Sequence, residues 1–383
     1  MRSVFTADHL WDGSRLIESP VIVAEDGRIA SIASRKEAAI PKGELHAFDG
    51  LTLGPAFFDV HIHGSAGHDV MEATPEALLA IGRFLAARGT GAYLATTVTA
   101  PIDATLRSLN GLAKLIEKAP GGAQTWPIGI HLEGPFLSHA KRGVHPPDLL
   151  RKPEIDLFDR MFEAAKGHVR LMTLAPELPG ATELAAHATA KGVRVSVGHS
   201  NATAAETTPV LDAGATSATH TFNAMRALDH REPGILGTVL TRDDLFAELI
   251  CDGVHTAPEL VRLWWKSKGA ERAILITDAM AAAGMPEGEY TLGGFPVQVA
   301  NGKAMANGVL AGSVLTLDRA LKNFVEFTGA NVENGLRLLG TNPAAMTGFS
   351  ERAGSVAIGQ PANLVAVDAA GGLVQSIHAG VLV

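Results

Sequence analysis

The strongest constraint on this chain is a rhythm. Eight short apolar runs, at 57–62, 92–98, 127–132, 169–174, 193–197, 217–220, 245–250 and 273–277, alternate with stretches whose apolar residues recur at helical spacing. Leu78, Ile81 and Leu85 share one helical face, as do Leu106, Leu109, Ala113 and Ile116, and again Ile155, Phe158 and Phe162. Strands separated by helices pair in parallel, because each crossover returns the chain in the same direction. Eight such units predict an α/β chain built on a (β/α)8 TIM-like barrel over residues 53–349. An open doubly wound sheet is the competing architecture, but it does not need eight units. The least regular connection follows the sixth run, where PGILGTVL is short for a full helix. The Gly-rich stretch 284–307 reads as a β-hairpin insertion after the eighth, with helices following around 315–327 and 332–339.

The two ends have another pattern. Short alternating segments with Asp-Gly pairs at Asp12-Gly13 and Asp26-Gly27 give strong hairpin signals, and the closing SVAIGQPANLVAVDAAGGLVQSIHAGVLV is β-like as well. Residues 1–52 and 350–383 are therefore expected to complete one small β-sandwich domain together. With 46% apolar residues the chain can bury a large core, which excludes disorder. The lone Cys251 allows no internal disulfide, and a reducing, cytoplasmic setting is expected. No apolar run approaches the roughly 20 residues of a membrane helix, and Asp8, Asp12 and Arg15 interrupt the start too often for a signal peptide. The net charge of −8 argues against nucleic acid or an anionic membrane as partner. Histidine is the odd entry, with fifteen against only two tyrosines.

Polar residues gather where the eight runs end, which in a barrel is the face that carries chemistry. His61 and His63 are two residues apart on a strand and point to one side. An isolated HxH is often incidental; this one closes a strand just before Gly64. Glu133 shares a strand face with His131 and points inward, where a bare charge is costly and no Lys or Arg on a neighbouring strand end offers a partner. His199 and His220 hold the equivalent places on the fifth and sixth strands. Each alone could be a hydrogen-bonded core histidine; together with Glu133, His61 and His63 they form a set of metal ligands. Nitrogen and oxygen ligands admit Zn, Fe, Mn or Co, with zinc the first candidate and one or two ions per subunit. Asp278 ends the eighth strand. It is placed either to cap a following turn or, beside a metal-activated water, to move protons as the catalytic residue. Arg231 suits a phosphate by forked hydrogen bonding, or a surface ion pair with Glu232. Cys251, beside Asp252, reads as a buried strand thiol.

The strings VHIHG, HLEGPF, RGVHPP, GHSNAT, THTFNAM, REPG, CDGVH, TDAM and LAGS, running from Leu53 to the closing GQPANLVAVD, resemble the N-acetylglucosamine-6-phosphate deacetylases of the amidohydrolase superfamily. The resemblance implies Glu133, His199 and His220 as principal metal ligands, His61 and His63 as ligands of a second metal, and Asp278 as catalytic acid/base. It implies a sugar-phosphate pocket lined by Val144, His145, Asn223, Ala224, Arg231, His255, Leu310, Ala311 and Gly312. It also implies a homodimer in which Arg231 reaches the neighbour's phosphate. The expected reaction is hydrolysis of the acetamide of N-acetylglucosamine 6-phosphate to glucosamine 6-phosphate and acetate, in amino-sugar and cell-wall sugar recycling. Arg142 stands where Lys is common in that family, and Asn363 replaces the usual Asp of an ADLV-type string. Three other readings compete. A cyclic amidase of the dihydroorotase type would need a bridging Lys at the end of strand four, where this chain has RLMTLAPE. A deacetylase for the galactosamine epimer differs by one hydroxyl orientation. A non-catalytic scaffold would be expected to have lost ligands that this chain keeps.

Overall fold

The computed structural model describes residues 2–36 and 39–383. Eight strands, β1 (Phe57–Ile62), β2 (Thr90–Thr97), β3 (Pro127–Glu133), β4 (Val169–Leu174), β5 (Arg194–Val197), β6 (Ala215–Ala218), β7 (Phe246–Ile250) and β8 (Ala273–Ile276), pair in chain order and all in parallel. Every residue of β1 and of β8 is buried, which is why these strands read as continuous apolar runs rather than as alternating ones. Helices follow successive strands. One of them, Pro75–Ala87, starts at Thr74, whose hydroxyl accepts from the N–H of Ala77, with proline in its first turn. The helix after β6, Gly234–Thr241, is the short one, yet it still buries Ile235, Leu236 and Val239.

The barrel closes between β8 and β1 through an irregular seam. The bridge Ile62–Ala279 and the bonds Asp278 N–H to His61 O (2.9 Å) and His63 N–H to Ala279 O (2.8 Å) join the strand ends. Deeper in the barrel the joint is a side chain. Buried Asp59 accepts from the Thr277 hydroxyl at 2.6 Å and from the His61 N–H at 3.2 Å. The seam thus fixes where His61, His63 and Asp278 stand relative to one another.

The terminal segments meet in one mixed eight-stranded sheet. Arg2–Trp11 pairs antiparallel with Pro20–Glu25 and parallel with Glu44–Pro55, which in turn pairs with Leu364–Val367. Its core includes Phe5, Leu10, Ile22, Leu53, Leu364 and Ile377. Asp26 and Gly27, at φ 49° and 80°, make the turn their sequence predicts. The insertion after β8 is larger than a hairpin. It is a four-stranded meander, Gly288–Leu292, Phe295–Ala300, Lys303–Ala306 and Val309–Leu310. The reason lies in its turns: Gly293-Gly294, Asn301-Gly302 and Asn307-Gly308 all have both residues at positive φ, the geometry of two-residue hairpin turns. The meander brings Leu310 to the mouth of the barrel.

Thr277→Val keeps the side-chain shape but leaves Asp59 without its shortest donor. An unsatisfied buried acceptor costs about 1–3 kcal/mol, so the variant is expected to unfold at lower urea concentration at neutral pH. An unchanged midpoint would show that the Asp59–Thr277 contact does not hold the seam.

Candidate active site

Four of the strand-end residues stand just beyond regular structure. His63 follows β1, and His199, His220 and Asp278 lie two residues past β5, β6 and β8. The last three adopt left-handed backbone, with φ of 46°, 26° and 52°. Such backbone costs on the order of 1–3 kcal/mol per residue and persists where the surroundings over-determine it. Here they do. The carbonyl of His199 accepts from Ser138 N–H, that of His220 from Asn223 N–H, and that of Asp278 from Ser313 N–H. The sharp turn aims each side chain across the barrel mouth.

The side chains converge on Glu133. Its Oε1 lies 3.2 Å from His199 Nε2, 3.1 Å from His220 Nε2 and 3.3 Å from His61 Nε2. Its Oε2 lies 3.1 Å from His63 Nε2. Asp278 Oδ1 is 3.2 Å from His63 Nε2 and 3.4 Å from His61 Nε2. His199 and His220 bring their Nε2 atoms to 3.0 Å of one another. The far side of each ring favours a lone pair at Nε2. His199 Nδ1 donates to the Lys141 carbonyl (2.9 Å) and His63 Nδ1 to the Thr96 carbonyl (3.1 Å), which leaves both Nε2 atoms unprotonated in the neutral ring.

Lone pairs and carboxylate oxygens facing one another at these separations repel unless a proton or a cation lies between them. Ligand atoms at 2.0–2.2 Å from a tetrahedral ion are themselves roughly 3.3 Å apart, so the spacing fits one. His61, His63 and Glu133 stand close enough together to hold one ion, and Glu133, His145 and His199 form a second such group, with Glu133 shared and His220 Nε2 beside it at 3.1 Å from Glu133 Oε1. The electrostatics agree. Burial raises the Glu133 carboxyl, but His61 and the other imidazoles around it hold it well below the usual range. Asp278 is likewise brought down to about 2, burial being outweighed by His61 and His63. Both stay ionised and draw positive charge. Burial opposes protonation of His63, yet Asp278 and Glu133 raise it to about 9.

Above the cluster opens a cavity of about 290 Å³ lined by Val144, His145, Asn223, Ala224, His255, Leu310 and Gly312, with His63, Glu133, His199, His220 and Asp278 at its floor. His61 is fully buried beneath that floor, and Ala311 is buried behind the wall rather than in it. Arg231 is exposed on the loop after His220 and lies outside the cavity of its own chain. His131 sits deeper, between the hydroxyls of Thr173 (2.8 Å) and Thr96 (3.3 Å), and burial lowers its pKa so that it stays neutral. It stacks on His61 edge-on and offers nothing to the cluster. Two interior carboxylates escaped the strand-end reading. Asp59 shares the i, i+2, i+4 face of His61 and His63, and Glu248 stands inside the apolar run LFAELIC with its Oε2 3.3 Å from His61 Nδ1. An acid in the middle of a buried strand was the available signal.

A family model described as the amidohydrolase family matches residues 52–381. The chain belongs to that family. It is 41% identical to the N-acetylgalactosamine-6-phosphate deacetylase of Escherichia coli O157:H7, over 84% of each chain. It is 36% identical to the N-acetylglucosamine-6-phosphate deacetylase of Vibrio furnissii, over 95% of this chain and 90% of that one. The N-acetyl-D-glucosamine-6-phosphate deacetylase of Mycobacterium smegmatis, solved as a mutant in complex with N-acetyl-D-glucosamine-6-phosphate, superposes with a TM-score of 0.92 at 34% identity, covering 100% of this chain and 99% of that one. The resemblance read from the sequence strings therefore holds along the chain.

A ligand that binds only the folded state stabilises by mass action, about 2.7 kcal/mol at a hundredfold excess over its dissociation constant. Chelator-treated protein is expected to melt at lower temperature, with recovery on adding Zn²⁺ or Co²⁺. Coincident melting curves before and after chelation would count against a metal at Glu133, His199 and His220.

Proposed function

We propose that this amidohydrolase removes the acetyl group of N-acetyl-D-glucosamine 6-phosphate, giving D-glucosamine 6-phosphate and acetate in amino-sugar recycling. The observation that carries the reading is Asp278: an ionised carboxylate at the floor of a sugar-sized cavity, with Oδ1 3.2 Å from the Nε2 of His63. Glu133, His199 and His220 would hold one divalent ion, zinc first, and His61 and His63 would share Glu133 with a second. When bound, the metal supplies an activated water at neutral pH and positive charge beside the acetamide carbonyl. Asp278 takes the proton of the attacking water and returns it to the amine nitrogen as the C–N bond breaks. One residue serves first as base and then as acid, because an unprotonated amine leaves poorly. His145 and His255 present ring edges to the cavity, and one or the other steadies the carbonyl oxygen as it gains charge.

The phosphate needs a cation, and within its own chain Arg231 stands clear of the cavity. A second copy would deliver it, which makes the enzyme a homodimer in this reading, and Leu228, 53% exposed on the same loop, would give that contact an apolar element. The single thiol, Cys251, is buried and its pKa pushed up by that burial, which suits a cytoplasmic enzyme with no disulfide. The relative from Escherichia coli O157:H7 carries the galactosamine name, so the epimer is the second reading.

Acetate release from both 6-phosphates and from the unphosphorylated sugar tests the assignment; preference for the unphosphorylated sugar would refute it. General acid–base work contributes about 10²–10⁴-fold, and Asp278→Asn is expected to lose kcat by that range while keeping its metal. Unchanged acetate release in the variant would remove Asp278 from the chemistry. Arg231→Ala is expected to raise KM for the phosphorylated sugars in a dimer that still sediments as one. A KM unmoved by the substitution would dismiss the shared phosphate site.

A further inference from the structure

Glu248 occupies the middle of β7 with no exposed surface, between buried Ala247 and Leu249. A buried carboxylate in an apolar strand is costly unless something uses it. Its Oε2 lies 3.3 Å from His61 Nδ1 and 3.4 Å from the backbone N–H of His220. Its other oxygen has no hydrogen-bond partner among the described residues. Among the described residues no cationic side chain pairs with it apart from the His61 ring.

We infer that Glu248 is a positioning residue for the metal centre: it accepts the Nδ1–H of His61 and so turns the Nε2 lone pair toward Glu133 and Asp278. This rests on the reading of His61 and His63 as ligands. The arrangement around the cluster is uneven in a way that gives Glu248 a specific task. His63 and His199 are held at Nδ1 by neutral backbone carbonyls, whereas His61 alone is held by a carboxylate. A carboxylate partner fixes the tautomer and makes the imidazole a stronger base, and loss of such a partner typically costs about 10–100-fold in metal affinity. Because Glu248 does not line the cavity, it acts on the ion through His61 and touches no substrate. Its second contact, at the backbone of His220, lies on the ligand set formed with Glu133 and His199, but it does not decide which ring nitrogen of His220 is free.

The test is a Co²⁺ titration of chelated wild-type protein, Glu248→Gln and Glu248→Ala, followed by visible absorption against a competing chelator. Two binding events are expected in the wild type. In both variants the weaker event, at His61 and His63, is expected to shift about 10–100-fold, while the tighter one and the melting temperature of the chelated protein stay put. Two events with wild-type affinities in the variants would overturn the role of Glu248. A single event in the wild type, unaltered by His61→Asn, would instead overturn His61 as a ligand, and the proposal with it. Should the variants fail to fold, ¹⁵N-histidine spectra of the wild-type holoprotein decide. A proton on His61 Nδ1 is expected, and a proton on Nε2 overturns the assignment.

Discussion

Burying Glu133 is the constraint on which the rest of this structure depends. A carboxylate at 3% exposure on the third barrel strand is tolerable only with compensating positive charge at contact distance, and four imidazoles from three other regions of the chain ring the place where it would sit, their Nε2 atoms 3.1–3.3 Å from the Glu133 oxygens. His61 and His63 must come from β1, His199 from beyond β5 and His220 from beyond β6. No local stretch of sequence could assemble that set. A closed parallel barrel does so because all its strands end on one rim.

Regular geometry alone does not finish the site. Strands point side chains alternately in and out, and a residue two beyond a strand end would ordinarily continue into a loop over the rim. The left-handed backbone at His199, His220 and Asp278 turns each chain inward instead. The seam between β8 and β1 follows the same logic. Where a ladder would place the two strands rigidly side by side, Asp59 and Thr277 join them through side chains, and the strand ends above carry His61, His63 and Asp278. The barrel is least regular where its chemistry is concentrated, and packing elsewhere offsets that strain.

Much of this was legible in sequence because the relevant signals are periodic or positional. Buried parallel strands are short continuous apolar runs, so eight of them announce a barrel, and an imidazole or carboxylate at the end of such a run has one rim to face. Glu248 and Asp59 were overlooked because they lie inside strands, where side chains at the level of the ligands are invisible until neighbouring strands are placed in register. The parallel pairing of Arg2–Trp11 with Glu44–Pro55 links segments about forty residues apart, and no local turn signal encodes such a pairing. The meander exceeded a hairpin because Asn301-Gly302 and Asn307-Gly308 are turn signals as strong as those at the N-terminus, hidden in a segment that looks merely Gly-rich. Arg231 is a different case: it stands exposed and outside the cavity of its own chain, so its position by itself assigns it no contact.

The two imidazoles on the cavity wall show how partners outside the cluster divide its labour. His145 Nδ1 lies 2.8 Å from the Thr99 hydroxyl and accepts the Thr99 N–H at 3.3 Å, a pairing that favours the proton of the neutral ring on Nε2, the edge turned toward Glu133 Oε2 at 3.6 Å. That N–H donor exists whether or not the ring is charged. His255 is held the other way round. Its Nδ1 donates to Asp252 at 2.7 Å, and against burial that carboxylate raises its pKa. Its free Nε2 is therefore a donor only while the ring is protonated, and becomes an acceptor as pH rises through that raised pKa. Of the two, His145 is suited to an oxygen that gains charge at every working pH. His255 is suited to a group whose hydrogen bond can reverse, such as a sugar hydroxyl or an amide N–H. Thr99 and Asp252, neither of which lines the cavity, thereby decide what the cavity-facing edge of each ring can offer.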